Sequence, residues 1–124
     1  MSKSILIVED TLDTLELLQT IFEGEGYKVK TATTGEYALE ALDKEQFDAV
    51  ILDIMLPRID GFEVLRRMKS NPKTRKIPII ALTAFDVPKI VQRCKDAGVE
   101  DTILKPFEST DLLARVNKIL EKKS

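Results

Sequence analysis

Five side chains in this sequence have types and placement suited to joint chemistry: Glu9, Asp10, Asp53, Thr83 and Lys105. Each follows a short apolar run. Glu9-Asp10 follows Ile5-Leu6-Ile7-Val8, and Asp53 follows Ala49-Val50-Ile51-Leu52. Thr83-Ala84 follows the run Ile77 to Leu82, and Lys105-Pro106 follows Thr102-Ile103-Leu104. Singly, each has an ordinary explanation. Asp10 and Thr83 could cap helices, Glu9 could be a solvated strand end, Asp53 a turn residue and Lys105 a surface lysine. Asp53 fits least well, because an acid between Ala-Val-Ile-Leu and Ile-Met-Leu needs a partner or a task. Taken together, three carboxylates against one ammonium call for a further cation. Oxygen donors without histidine or cysteine favour a hard ion, and Mg²⁺ fits. Such an ion commonly accompanies phosphate, and a carboxylate can serve as nucleophile to give an aspartyl-phosphate. Lys105 and the Thr83 hydroxyl would then offset charge on phosphoryl oxygens.

Composition narrows the alternatives. The chain has 124 residues, no histidine and one cysteine, Cys94. Histidine-containing zinc sites, histidine-ligated haem and His-dependent hydrolases are thereby excluded, as is any internal disulfide. A lone thiol fits a reducing compartment, and the chain reads as cytoplasmic. With 19 basic against 21 acidic residues, no nucleic-acid footprint covers the surface. The four apolar residues Ile5–Val8 are too few for a signal-peptide core or a membrane span.

The elements that must position the five residues follow from periodicity. Five short runs read as strands: Ile5–Val8, Tyr27–Ala32, Ala49–Leu52, Ile77–Leu82 and Thr102–Leu104; three of them are almost purely aliphatic without alternation, which suits strands covered on both faces. Between them lie helical stripes, such as Leu12, Leu15, Leu18, Ile21 and Phe22, or Leu112, Leu113, Val116, Ile119 and Leu120. Gly24, Gly26 and Gly98 stand where helices should end, and Thr33-Thr34 where one should begin. Five β–α units predict an α/β fold: one doubly wound (βα)5 flavodoxin-like domain with helices on both faces. By analogy the five-stranded parallel sheet should have order 2-1-3-4-5, which makes strands 1, 3, 4 and 5 neighbours. Ligands of such sheets bind beyond the carboxyl ends of the strands, where all five residues fall.

At this point the sequence resembles the receiver domain of two-component response regulators, from about Ser4 to Leu120. The resemblance rests on Glu9-Asp10, on Asp53-Ile-Met-Leu-Pro57-Arg-Ile-Asp60-Gly61, on Thr83-Ala84 and on Lys105-Pro106-Phe107. It implies that Asp53 is the phosphoacceptor, charged from a phosphohistidine on a sensor histidine kinase or histidine phosphotransfer protein. Asp10 and Asp53 would hold Mg²⁺ directly, Glu9 largely through water, and the Met55 backbone carbonyl would be a further ligand. Thr83 would hydrogen-bond the phosphoryl group, and Lys105 would pair with it across a cis Lys105–Pro106 bond. The chain would catalyse only its own phosphorylation and dephosphorylation. The kinase would dock near Thr11–Phe22, while the helix Lys89–Ala97, strand 5 and the last helix would form the output face. Met55 and Phe85 would flank the water path, so that loss of the phosphoryl group takes minutes or longer.

One position departs from the family. Three residues before the lysine, where the family carries Tyr or Phe, this chain has Thr102. An output change would need another route, such as the loop with Phe85. Competing readings are a pseudo-receiver that only binds protein and a haloacid-dehalogenase-type phosphatase. The latter needs a second Asp where Met55 stands. A nucleotide or flavin domain lacks its glycine motifs. Residues 1–124 read as one receiver domain without an output domain, leaning toward a stand-alone regulator that is a monomer or a weak phosphorylation-linked dimer. The downstream target is not legible.

Overall fold

Strands without alternating polarity must be covered on both sides, and that requirement builds the three layers of this molecule. The computed structural model describes residues 3–56, 60–84 and 88–123. Its elements are β1 (Ser4–Val8), α1 (Leu12–Gly24), β2 (Lys28–Ala32), α2 (Gly35–Lys44), β3 (Ala49–Asp53), α3 (Gly61–Ser70), β4 (Ile79–Thr83), α4 (Pro88–Asp96), β5 (Asp101–Leu104) and α5 (Ser109–Lys123). The sheet is parallel, in the expected order β2-β1-β3-β4-β5.

The pleat sorts the aliphatic side chains into two cores. Leu6, Val8, Val50, Leu52, Ile79 and Ala81 pack with Ala38, Leu42, Val64, Leu65, Met68 and Cys94 from α2, α3 and α4. Ile5, Ile7, Ile51, Ile80, Leu82 and Ile103 pack with Leu15, Leu18, Phe22, Leu112, Val116 and Leu120 from α1 and α5. The central strands β3 and β4 are buried at every position. Each aliphatic side chain so buried contributes roughly 1.5–3 kcal/mol.

Element ends depart from the sequence reading for local reasons. β4 starts at Ile79 instead of Ile77, because the Ile77 N–H donates to the Thr74 carbonyl and Pro78 has no N–H to give. Leu12 is not part of the buried stripe. It opens the first turn of α1 and is 63% exposed, and burial begins at Leu15. Thr34 caps α2 as expected, its hydroxyl accepting from the Tyr37 N–H at 3.1 Å. Gly26 and Gly98 follow α1 and α4 with φ of 92° and 95°, the left-handed region that favours glycine.

Burial within α1 should decide mutational cost. Leu18→Ala is expected to lose about 2–5 kcal/mol in urea unfolding. Leu17→Ala, on the half-exposed face, should stay within about 0.5 kcal/mol. Equal losses for the two would contradict the packing.

Candidate functional site

Parallel pairing places the strand ends side by side. Val8 pairs with Leu52 and Thr83 with Leu104, so Glu9, Asp53, Thr83 and Lys105 all lie at or just beyond one sheet edge. Glu9, Asp53 and Lys105 each stand two residues beyond Ile7, Ile51 and Ile103, which belong to the core under α1 and α5. With a period of two, the pleat carries all three toward the same side.

The ordinary readings of Glu9, Asp10, Asp53 and Lys105 fail in turn. Glu9 is fully buried and Asp53 is 5% exposed, so neither is a solvated end. Thr83 closes β4 and is fully buried. The residue at the N-cap of α1 is Thr11 instead of Asp10, and it caps without a side-chain bond. Its backbone N–H instead donates to Glu9 Oε2 at 3.1 Å. Lys105 is no surface lysine. Its Nζ lies 2.5 Å from Glu9 Oε1 and 3.3 Å from Asp53 Oδ2. Asp53 Oδ1 accepts from the Met55 N–H at 3.0 Å. The Lys105 N–H donates to the Thr83 carbonyl at 2.8 Å, and the Lys105–Pro106 bond is cis.

Carboxylate oxygens of Glu9, Asp10 and Asp53 lie within 4.8 Å of one another, with Asp10 exposed at the mouth. All the donors are hard oxygens and three negative charges face one ammonium, so the cluster fits a divalent cation such as Mg²⁺. Burial opposes the Lys105 charge, but the Glu9 hydrogen bond and the fields of Asp53 and Glu9 outweigh it and raise the ammonium above the usual lysine range.

The sequence reading named the side chains and missed their backbone supports. Thr11 N–H and Met55 N–H fix the two buried carboxylates, and no residue type announces a backbone donor. Thr102 sits beside Ala81 in register and is half-buried. Met55, expected to flank the water path, is 49% exposed. Pro57 and Phe85 lie outside the described residues.

Fold and site define a flavodoxin-like domain with an acidic, lysine-bridged site at the carboxyl edge of its sheet. The chain belongs to the response regulator receiver domain family, which matches residues 5–117. It is 37% identical over 116 residues to the response regulator SaeR of Staphylococcus aureus, covering 94% of this chain and 50% of that protein. It is 36% identical over 119 residues to the response regulator PleD of Caulobacter vibrioides, covering 96% of this chain and 26% of PleD. The chain thus spans half or less of the length of these relatives. Among solved structures, the receiver domain of the sensor histidine kinase PA1611 from Pseudomonas aeruginosa, with a magnesium ion coordinated in its active-site cleft, superposes with a TM-score of 0.84 at 30% identity. That match covers 98% of this chain and 97% of the other. Among the described residues, no helix is long and apolar enough to cross a membrane.

The raised Lys105 sets a pH dependence. A cationic group whose folded value exceeds its unfolded one, about 10.4, stabilises fully below the unfolded value and loses that contribution as pH rises through the folded one. The stability advantage of metal-free wild type over Lys105→Met should therefore be constant from about pH 7 to 9 and shrink above about pH 10.5. Urea unfolding across pH checks this. An advantage that already varies between about pH 7 and 9 would assign the effect to another group.

Proposed function

We propose that this receiver domain accepts a phosphoryl group on Asp53 from a phosphohistidine of a sensor histidine kinase or a histidine phosphotransfer protein. The observation that carries the reading is the Asp53 carboxylate. It is buried at the sheet edge, among the oxygens of Glu9 and Asp10, and is held on one oxygen by Lys105. A carboxylate oxygen of Asp53 attacks phosphorus as the P–N bond to the partner's imidazole breaks, and the imidazole leaves with the bonding pair and takes up a proton. Met55 N–H and Lys105 keep the carboxylate oriented. Lys105 and the Thr83 hydroxyl then face the charge that the new acyl phosphate brings. Asp10 and Asp53, with the Met55 carbonyl, would ligate Mg²⁺ directly, and Glu9 would act largely through water. When bound, that ion supplies charge neutralisation to the phosphoryl oxygens.

The exposed apolar side chains of Leu12 and Met55 belong to the segments that follow Asp10 and Asp53, which supports docking of the phosphodonor over α1 and the site loops. Output runs through α4, β5 and α5 to a protein target, in the cytoplasm, with the chain a monomer or a weak phosphorylation-linked dimer. The phosphoryl group is retained for minutes or longer. Its chemistry is confined to its own phosphorylation and dephosphorylation. The phosphatase alternative loses its general acid at Met55, and the assembled site disfavours a pseudo-receiver.

Incubation with Mg²⁺ and acetyl phosphate should give a single phosphoryl adduct by intact mass, absent with chelator and absent in Asp53→Asn. An adduct that persists in Asp53→Asn would overturn the assignment. Glu9→Gln and Asp10→Asn should each weaken Mg²⁺ binding by about 10-fold or more in a calorimetric titration. Unchanged affinity in both would place the ion elsewhere.

A further inference from the structure

One close approach between β3 and a helix is made by a residue with no side chain at all. Gly61 opens α3 and is buried against the exit of β3. A Cβ at this position would lie 2.5 Å from the Ile54 Cα, 2.7 Å from the Asp53 carbonyl oxygen and 2.7 Å from the Ile54 carbonyl oxygen. All three are backbone atoms, so no side chain can rotate away. The φ of Gly61 is not in the left-handed region, unlike those of Gly26 and Gly98. Glycine is therefore required here by space and not by backbone conformation.

The approach is built from both sides. Gly61 N–H donates to the Ile54 carbonyl at 2.9 Å, tying the end of the β3–α3 loop back to its start. Asp60 Oδ1 accepts from the Glu63 N–H at 2.9 Å and holds the first turn of α3 in place. The tie falls between Asp53, whose carboxylate reaches Lys105, and Met55, whose N–H orients that carboxylate. An added methyl group must push α3 and the β3 exit apart until ordinary contact is restored, and the atoms displaced are those of Asp53 and Ile54.

We infer that Gly61 is a positioning residue for the site: its missing side chain sets where the Asp53 carboxylate and the Met55 carbonyl stand relative to Glu9, Asp10 and Lys105. The inference rests on the reading of Asp53 as phosphoacceptor. Misplacement by about 1 Å costs on the order of 100-fold in rate, so the chemistry should suffer even where the chain still folds.

The test compares Gly61→Ala with wild type and with Gly24→Ala, where an added Cβ meets nothing within 4 Å. Mg²⁺ affinity is read from amide NMR shifts, phosphorylation from the initial rate with acetyl phosphate, and folding from circular dichroism. Folded Gly61→Ala should bind Mg²⁺ about 10-fold or more weakly and accept phosphoryl about 100-fold more slowly, with Gly24→Ala matching wild type. A lowered melting temperature with unchanged Mg²⁺ affinity would make Gly61 merely structural and overturn the inference. If Gly61→Ala does not fold, Asp60→Ala carries the test, since it frees the same turn without adding bulk. Its Mg²⁺ affinity should fall by less than about 10-fold, and wild-type affinity there overturns the inference. If wild type itself neither binds Mg²⁺ nor takes phosphoryl, the Asp53 reading falls and this one with it. If wild type does both and Gly61→Ala equals it, only this one falls.

Discussion

The ammonium of Lys105 stands between two buried carboxylates contributed by different strands, and the rest of the site depends on that contact. Glu9 has no exposure and Asp53 almost none, so each needs partners to remain in the interior. Lys105 supplies one partner to both. The remaining oxygens are held by backbone, Thr11 N–H for Glu9 and Met55 N–H for Asp53. The strand order β1-β3-β4-β5 makes this possible, because it sets the ends of β1, β3 and β5 within reach of one another although they are far apart in sequence.

The contact is incomplete by design of charge. One ammonium faces three carboxylates, and Asp10 lies exposed at the mouth. An unbalanced cluster of this kind lowers stability and creates a demand for a cation, which suits a site that must next accommodate phosphoryl oxygens. The apolar layers carry that cost. Both faces of the sheet are covered by continuous aliphatic cores, so the carboxyl edge can hold an arrangement that would not persist in a weaker fold.

Much of this architecture was legible in the residues, for identifiable reasons. β3 and β4 are buried on both faces, so their runs read as strands without ambiguity. The charged residues were legible because each interrupts or ends such a run. Leu12 misled, since helical spacing cannot tell a first turn that stands clear of the core from one that packs. Ile77 reads as strand because it is apolar, yet it precedes Pro78 and its N–H is used in a turn. The backbone donors of Thr11 and Met55, and the close approach at Gly61, depend on where distant segments meet, which periodicity does not encode. Thr102, the departure from the family pattern, is half-buried on β5 beside Ala81 of β4.

The central claim is that Asp53, and no neighbouring carboxylate, takes the phosphoryl group. Borohydride reduction of the phosphorylated protein converts an acyl-phosphate carboxyl to an alcohol, and peptide mass mapping then locates the change. Reduction at Asp53 alone is expected. Reduction at Glu9 or Asp10, with Asp53 unmodified, would contradict the account.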